Sequence, residues 1–221
     1  MRKSFLALAL VVALAVCTFA HSAYAALKEG EDYAVLKQTI PAMDKTLLKL
    51  SSYDCPFCYK YDLFVTPAVV KAIEKDGMRY TEWHLDSGKY GPQANEIFAA
   101  LITRDRKAGL GPLDDSSSFK KAKMAYYQAY HLRKERWGDG KDPEAFLKTG
   151  LEAAGVSRSE FQKLLKERAT RKRLKEWEGA RELSKIQGVP AFVVNGKYLL
   201  YNRNIRSIEG LTAAIRELME K

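Results

Sequence analysis

Two cysteines separated by two residues, Cys55 and Cys58, are the strongest candidates for chemistry in this sequence. A thiol pair at this spacing either exchanges with other disulfides or supplies half of a zinc site. A structural zinc site needs four ligands, and His84 and His131 lie far apart without the paired spacing of such sites. A disulfide between residues so close in sequence adds little stability, because the stabilisation grows with the length of the closed loop. We therefore interpret the pair as a redox-active disulfide that needs no metal and no separate cofactor.

The hydrophobic pattern places this pair where a strand meets a helix. Thr46–Ser52 predicts a buried strand, and helical spacing begins after Cys55, with Pro56 suited to the first turn. Cys55 is then expected at the helix N-terminus, where unpaired backbone N–H groups and the helix dipole favour the reactive thiolate. Cys58, one turn further along and facing inward, is expected to be the resolving thiol.

The N-terminal residues have the pattern of a secretory signal peptide. Arg2 and Lys3 precede the apolar run Phe5–Ala20, and small residues ending at Ala25 form a cleavage site. Export predicts an oxidising compartment, where disulfides persist. Removal of this segment lowers the formal net charge from +10 to +8. In an alternative interpretation, Cys17 is the lipid-modified residue of a lipoprotein signal.

The remaining sequence predicts a mixed α/β architecture in which a long helical block interrupts a sheet. No strand-like alternation occurs between Pro92 and Ile186, whereas strand patterns occur on both sides of this block. Asn195-Gly196 favours a type I′ hairpin turn, and Pro67 predicts a break in the helix after Cys55. The segment Asp32–Ile40 is expected to form an N-terminal strand or an extended arm. The other expected strands are Thr46–Ser52, Met78–Leu85, Ala191–Val194 and Tyr198–Tyr201.

Capping residues predict where several helices begin and end. Ser118 is expected to precede a helix that reaches about Trp137, and Asp142 with Pro143 opens a short one that Gly155 closes. Ser157 and Glu160 form a capping box. A final amphipathic helix is expected from Ser207 to Met219.

The CxxC pair and the segment Gly188–Tyr198, in this order and with a helical block between them, resemble the DsbA family of bacterial periplasmic thiol oxidases. The resemblance covers nearly all of residues 26–221. It implies a thioredoxin fold formed by residues 26–91 and 187–221, with residues 92–186 as an inserted helical domain. It also implies that Pro190 follows a cis peptide bond beside the sulfurs, and that the backbone of Val189 pairs with an extended substrate segment.

The same resemblance implies a monomeric dithiol oxidase of the periplasm. Its partners would be exported thiol-containing proteins and a quinone-linked membrane reoxidase similar to DsbB or DsbI. With Phe57 between the cysteines and a charge of +8, the chain is most similar to the DsbL branch, which implies an exported arylsulfate sulfotransferase as the client. Two alternatives stay open: a periplasmic reductant of the same fold, and a non-catalytic exported binding protein on this scaffold.

Three residues near the cysteines differ from the best-known family pattern, and a fourth, Asp54, affects ionisation of the thiol. Phe57 stands where that pattern has a histidine, so it cannot donate a hydrogen bond to the thiolate, and Asp54 opposes ionisation by like-charge repulsion. Beneath the sulfurs, the family generally carries an acid at the position of Lys49 and a base at the position of Glu82. The two charges are therefore exchanged in this chain. Since a buried lysine needs a partner, we expect a Lys49–Glu82 ion pair near Cys58 that modulates proton transfer during exchange. Alternatively, Lys49 reaches solvent from a strand edge.

Two clusters are interpreted as structural features of the helical block. The basic run Lys163–Lys175 contains acidic residues at helical spacing, which favours a solvated helix face over a nucleic-acid site. If this surface binds anything, an acidic protein substrate attracted by charge is the best candidate. The aromatic residues are expected to form the core of the block: Phe119, Tyr126, Tyr127, Tyr130 and Trp137.

Overall fold

The computed structural model describes residues 26–221, so the predicted signal peptide and Cys17 lie outside the described residues. Within this range no helix is long and apolar enough to cross a bilayer. The strands are β1 (Tyr33–Val35), β2 (Thr46–Ser51), β3 (Arg79–His84), β4 (Ala191–Val194) and β5 (Tyr198–Leu200). The α-helices are α1 (Pro56–Phe64), α2 (Thr66–Glu74), α3 (Gly91–Lys107), α4 (Ser118–Tyr127), α5 (Pro143–Ala154), α6 (Arg158–Lys166), α7 (Arg168–Trp177), α8 (Ala180–Gln187) and α9 (Ile208–Met219).

The strands form one five-stranded sheet in the order β1-β5-β4-β2-β3. β2 and β3 run parallel and are joined through α1 and α2, whereas β4 is antiparallel to both β2 and β5. β2 is therefore an interior strand between β4 and β3, and all six of its residues are buried. The chain leaves the C-terminal end of this strand at Ser51 and reaches Cys55 after three residues.

The two faces of the sheet pack against different sets of helices. Alternation along β2 sends Leu48 and Leu50 into the large core shared with the helical block, while Leu47 joins the core formed with α2 and α9. Lys49 lies on the same face as Leu47 and is fully buried. The sheet thus carries a buried charge on the strand that leads to the cysteines.

The predicted break at Pro67 is confirmed. α1 ends at Phe64, and α2 begins at Thr66 with Pro67 in its first turn. Proline is tolerated there because backbone N–H groups in the first turn of a helix have no acceptor within the helix. The hairpin prediction is also confirmed, since Asn195 and Gly196 adopt φ angles of 53° and 65° between β4 and β5.

The helical block differs from the prediction at one helix. The chain starts α4 with Ser117 as the N-cap, whose Oγ accepts from the Lys120 N–H at 3.0 Å. After Tyr127 the chain makes a π-helical turn over Gln128–Leu132 and leaves the helix, so the expected continuation to Trp137 is wrong. Lys134 and Trp137 then adopt φ angles of 60° and 46°, a left-handed conformation that no helix continues through.

Most of the predicted aromatic core is confirmed, and one part of the basic run is corrected. Phe119, Tyr126 and Trp137 are buried within the large core of the helical block, and partly buried Tyr130 packs against that core. The basic run extends from the second half of α6 into α7 and is largely exposed. Arg173 is the exception because it is 7% exposed, so this residue does not lie on the solvated face that the pattern predicted.

Candidate active site

Cys55 and Cys58 form a disulfide at the start of α1. Cys55 is the N-cap of that helix, and its Sγ accepts a hydrogen bond from the Cys58 backbone N–H at 3.0 Å. Pro56 occupies the first turn, as expected. The sulfur of Cys55 therefore lies at the positive end of the helix dipole, where a thiolate formed on reduction is stabilised.

The two sulfurs differ in their access to solvent. Cys55 is 8% exposed, whereas Cys58 is completely buried. A thiolate from another protein can therefore reach the Sγ of Cys55 but not that of Cys58. This asymmetry matches the order of events in thiol–disulfide exchange, in which one sulfur is attacked and the other leaves.

The loop before β4 brings a backbone carbonyl against the accessible sulfur. The Val189–Pro190 peptide bond is cis, and the Val189 carbonyl oxygen lies 3.5 Å from the Cys55 Sγ. Asn202 holds the loop by donating from Nδ2 to the Pro190 carbonyl at 2.6 Å, and its own N–H donates to Gln187 Oε1 at 2.9 Å. The structure thus brings Val189 and Pro190 to the disulfide, as the resemblance implied.

A groove of about 460 Å³ opens beside the disulfide. Phe57 lines this groove and is 62% exposed. The Lys60 ammonium lies 5.7 Å from the centre of the Phe57 ring. The other lining residues are Tyr61, Ile186, Gln187, Val189, Pro190, Tyr201, Asn202 and Arg203.

The buried charges form a four-residue cluster, which corrects the predicted pair. Lys49 and Glu82 are register partners on β2 and β3, but Lys49 makes its ion pair with Asp62 of α1. Glu82 is paired with Lys123 of α4 at 2.7 Å, and Lys123 also lies 3.0 Å from Asp62. The alternative in which Lys49 reaches solvent is wrong, because its side chain is 0% exposed.

The cluster balances two positive charges against two negative charges away from water. Burial raises the pKa of Asp62, but Lys123 and Lys49 outweigh this effect and lower it to about 2. Burial lowers the pKa of Lys123, and the charges of Asp62 and Glu82 reverse that effect, so its pKa is raised. Ser51 Oγ also donates to Glu82 at 2.7 Å. Asp62 and Lys123 are therefore both charged at neutral pH.

Sequence reasoning missed Asp62 and Lys123. Asp62 follows Cys58 by four residues on α1, so helical spacing alone could have placed it on the same face, one turn below the buried sulfur. Lys123 lies in α4 among many other lysines, and nothing in its spacing distinguishes it from an exposed residue. Only the packing of α4 against α1 and β3 reveals its partners.

His84 positions the loop between β2 and α1. Its Nε2 accepts from the Tyr53 backbone N–H at 2.9 Å, and Nδ1 lies 2.6 Å from Asn95 Oδ1. Because Nε2 accepts, the ring is neutral with its proton on Nδ1, donated to Asn95. Burial lowers the pKa of His84 to about 4, which is consistent with this neutral form.

The remaining predicted residues lie near the disulfide. The Asp54 carboxylate is held by Ser52 Oγ and lies 3.4 Å from Ser87 Oγ. His131 stacks on Tyr59 with ring centres 5.9 Å apart. Across residues 26–221, no group of three or more metal-binding side chains occurs.

Comparison with known proteins agrees with this geometry. The profile of the DSBA-like thioredoxin domain matches residues 113–212. The thiol:disulfide interchange protein DsbL of Escherichia coli O6:H1 is 53% identical, over 98% of this chain and 96% of its own length. The corresponding DsbA of Dickeya dadantii is 27% identical, over 86% of this chain and 84% of its own length.

Solved structures show the same architecture. A crystal structure of reduced DsbL, 54% identical, superposes with a TM-score of 0.85 and covers 88% of this chain and all of that one. The DsbL structure of Salmonella enterica serovar Typhimurium, 53% identical, gives 0.86 and covers 90% of this chain and all of its own. The sheet with its inserted helices is thus a thioredoxin fold with a helical insertion. On its sequence, its fold and its paired cysteines, this chain belongs to the DsbA family of thiol:disulfide oxidoreductases, within which it resembles the DsbL proteins.

Proposed function

We propose that this protein is a monomeric periplasmic dithiol oxidase that introduces disulfide bonds into exported proteins. The observation that supports this most directly is the Cys55–Cys58 disulfide, whose only accessible sulfur caps the N-terminus of α1. A site that stabilises the thiolate of Cys55 favours the reduced enzyme. Such an enzyme takes electrons from its clients, so it acts in the oxidising direction.

The proposed reaction proceeds in two exchanges. A client thiolate attacks the Cys55 Sγ, the Cys55–Cys58 bond breaks, and the electron pair of that bond stays on the Cys58 sulfur. A second client thiolate then attacks the client sulfur of the mixed disulfide, and Cys55 leaves as a thiolate. Two electrons have passed from the client to the enzyme, and the client has gained one disulfide.

The groove and the Val189 loop support binding of an extended client segment. The Val189 carbonyl lies against the Cys55 sulfur, so a client cysteine near that sulfur brings its neighbouring backbone alongside Val189. Phe57, Ile186 and Tyr201 offer apolar contacts within the groove. We infer that Val189 pairs with the client backbone, while Phe57 and Pro190 shape the contact surface.

We further infer the class of client and of reoxidising partner from the DsbL resemblance. The client is an exported arylsulfate sulfotransferase, and a quinone-linked membrane protein of the DsbB or DsbI type restores the disulfide. The formal charge of +8 on residues 26–221 supports an acidic client. Export to the periplasm rests on the signal-peptide pattern of residues 1–25.

Covalent trapping tests the site and the partners together. Cys58→Ala leaves Cys55 unable to expel a bound client, so mixed disulfides should accumulate and can be identified by mass spectrometry. Cys55→Ala is the matched control, because the remaining cysteine is completely buried and should trap no client. Equal trapping by the two variants would contradict the assignment of Cys55 as the attacked sulfur.

The direction of electron transfer needs a second measurement. Equilibration with glutathione should show that the reduced enzyme is favoured, and a dithiol peptide should be oxidised by the disulfide form. A strongly reducing potential would instead identify a reductant. Unchanged peptide oxidation in Cys55→Ala would identify a binding protein whose disulfide takes no part.

We also propose that Lys49 and Glu82 modulate the exchange reaction, now as members of the four-residue cluster. They act through Asp62, which lies one helical turn from Cys58, and through Lys123. Lys49→Met should change the pH dependence of the exchange rate, since it removes one of the two positive charges facing Asp62. An exchange rate that follows the wild-type pH profile would show that the cluster only stabilises the fold.

A further inference from the structure

A second cavity, separate from the groove, adjoins the loop that leads to the disulfide. We call it the Tyr53 pocket, and it has a volume of about 270 Å³. It shares no lining residue with the groove. Tyr53 lies two residues before Cys55, and the helical insertion supplies Tyr130, Arg136 and Trp137 to the lining. This volume is slightly below that of typical sites for drug-sized ligands, so the pocket suits a single side chain.

The proton of the Tyr53 hydroxyl has no acceptor among residues 26–221. The hydroxyl oxygen accepts from the Tyr90 backbone N–H at 3.1 Å, which is its one hydrogen bond in the described part of the chain. Burial raises the pKa of Tyr53 to about 12, so the hydroxyl keeps its proton at neutral pH. The oxygen lies beside Gly88, since a Cβ built there would meet it at 2.7 Å, and Gly88 and Tyr90 both line the pocket. A buried donor of a kind that is normally paired therefore lies at the pocket wall.

Lys89 adds a positive charge to the lining. Its ammonium lies 3.9 Å from the carboxylate of Asp139, which also lines the pocket, and both groups are exposed. A pair this long between exposed groups contributes little, so the ammonium can bind another anion. Asp54 lies near Gly88 but outside the lining, and Ser52 Oγ donates to its carboxylate. Since the charge of Asp54 opposes an anion, selection of one depends on direct hydrogen bonds rather than on net charge.

Arg136 supplies further donors. Its guanidinium lies 3.8 Å from the centre of the Tyr130 ring, and its Nη1 donates to the carbonyls of Tyr130 and Glu135. Its hydrogen bonds within residues 26–221 all leave from Nη1, so Nε and Nη2 are available to a ligand. A planar guanidinium held on an aromatic face presents its remaining N–H groups in a fixed direction, which suits a carboxylate.

Packing holds the walls of the pocket in place. Trp137 is buried, and its indole N–H donates to Thr149 Oγ1 at 3.0 Å. The Tyr53 ring packs against the rings of Tyr130 and Trp137, with ring centres 5.7 Å and 6.4 Å apart. A ligand therefore meets side chains that are already ordered, so little conformational entropy is lost on binding.

We propose that the Tyr53 pocket binds a carboxylate side chain of the client, from a residue close in sequence to the cysteine that is oxidised. This inference rests on the oxidase function proposed above. The Tyr53 hydroxyl donates to the carboxylate, and Arg136 and Lys89 add hydrogen bonds between opposite charges, which a neutral amide does not form. The Cα atoms of Tyr53 and Cys55 are at most about 7 Å apart, so a client attached to Cys55 has its neighbouring residues within reach of the pocket. The pocket thus adds a sequence requirement to those of the groove.

Competition between two peptides for Cys55 tests this proposal. Both peptides contain one cysteine and differ only in glutamate or glutamine at one flanking position, which is moved stepwise away from the cysteine. Cys58→Ala retains the mixed disulfide, and mass spectrometry measures which peptide is bound. At one position the glutamate peptide should occupy Cys55 about tenfold more often, relative to the ratio that the same peptides give with glutathione.

Substitutions in the pocket should remove this preference. In the Cys58→Ala background, Tyr53→Phe and Arg136→Gln should each lower it to about threefold or less. Arg133→Gln is the matched control, because it removes the same charge from the same exposed segment but does not line the pocket. Tyr53→Phe leaves the Tyr90 N–H without its acceptor, but the ratio compares two peptides on one protein, so lost stability does not change it. A preference that survives both pocket substitutions, or no preference at any position, would overturn the proposal.

NMR of the wild-type disulfide form locates the binding site without any exchange reaction. The probe is N-acetylglutamate α-amide, whose only carboxylate is the side chain, and N-acetylglutamine α-amide is its control. The indole N–H signal of Trp137 should shift with the first compound alone, while the signal of Trp177 in α7 stays in place. Tyr53→Phe should abolish the shift.

The outcomes separate the pocket from the oxidase function. An unmoved Trp137 signal would overturn the site itself. A shift combined with equal occupancy by the two peptides would mean that the pocket takes a free carboxylic acid, which overturns its assignment to the client. The oxidase function fails separately, if the wild-type disulfide form cannot oxidise a dithiol peptide.

Discussion

The ionised carboxylate of Asp62 contributes to the free energy of unfolding, and this contribution is lost at acid pH. Its pKa in the folded state is about 2, below the ordinary value of 3.8, because Lys123 and Lys49 outweigh the effect of burial. A carboxylate with a lowered pKa stabilises the folded state fully above pH 3.8. This contribution is lost as the pH falls from 3.8 towards 2, since the unfolded chain takes up a proton that the folded chain does not.

We predict that the wild-type free energy of unfolding falls by about 2 kcal/mol through this group between pH 5 and pH 2. Asp62→Asn should be less stable at neutral pH, because Lys49 and Lys123 lose one buried partner. It should also show a shallower loss of stability in this acid range. Denaturant titrations at several pH values measure both effects, and parallel curves for the two proteins would contradict the assignment.

His84 makes a separate contribution at higher pH. Burial lowers its pKa to about 4, whereas an unfolded histidine titrates near 6.5. The unfolded chain therefore binds the extra proton first as the pH falls, so stability is complete above pH 6.5 and is lost between 6.5 and 4. Protonation of Nε2 also removes the acceptor for the Tyr53 N–H, which holds the loop leading to Cys55.

We expect the wild-type protein to lose about 3 kcal/mol through His84 between pH 7 and pH 4. His84→Gln keeps a side chain that can accept from the Tyr53 N–H but cannot titrate in this range. It should therefore remove most of this dependence of stability on pH. His131→Gln is the comparison: burial also lowers the pKa of His131, but this ring is less buried, and its effect should be smaller. If His84→Gln loses as much stability as wild type between pH 7 and pH 4, other groups are responsible for the loss.

At the scale of elements, the β4–β5 hairpin depends on one glycine. Gly196 has a φ of 65°, and a Cβ at this position would meet the Ile40 carbonyl oxygen at 2.5 Å. Gly77 has a similar φ of 77°, but a Cβ there meets nothing within 4 Å. The two positions share the same backbone strain and differ only in the space around them.

Gly196→Ala should therefore cost more stability than Gly77→Ala. We expect about 1 kcal/mol for Gly77→Ala from backbone strain alone, and about 3 kcal/mol for Gly196→Ala because the alanine methyl collides with a backbone atom. Denaturant unfolding of both variants measures this difference. Equal losses would show that the segment around Ile40, between β1 and β2, moves away from the hairpin without a cost in stability.

The elements illustrate which features the sequence predicts well. Pro67 and Asn195-Gly196 act through the backbone of their own residues, so the break before α2 and the hairpin turn could be predicted locally. The end of α4 could not, because Lys134 and Trp137 adopt left-handed conformations without a glycine or proline at either position. Their conformation depends on the packing around them, which no local pattern reports.

In the candidate site, too, the features that depend on packing between distant elements could not be predicted from the sequence. Cys55, Cys58 and the Val189–Pro190 loop were predicted from motifs and a family resemblance, and the structure brings them together. The buried lysine was predicted to need a partner, which is correct, but the partner was not Glu82. Which acid Lys49 meets depends on how α1 and α4 pack over the sheet, and that information is distributed over the whole core.

For the whole molecule, the excess of positive charge should attract acidic clients to the groove. Residues 26–221 carry a formal charge of +8, and Lys60 lies beside Phe57, which lines the groove. Attraction between a cationic enzyme and an anionic client raises the association rate, and added salt screens it. A cationic client should show the opposite dependence, because screening then relieves repulsion.

We predict that oxidation of a dithiol peptide flanked by glutamates slows about threefold or more between about 20 mM and about 200 mM salt, while a lysine-flanked peptide speeds up. Lys60→Gln should weaken the effect for the acidic peptide, since it removes a charge next to the disulfide. Lys163→Gln on the exposed face of α6 is the matched control, and it should change the rate less because no residue of α6 lines the groove. Stopped-flow rates for both peptides distinguish the effect of charge near the groove from that of net charge. Equal effects of the two substitutions would assign the attraction to net charge alone. The absence of any salt dependence would contradict selection of an acidic client.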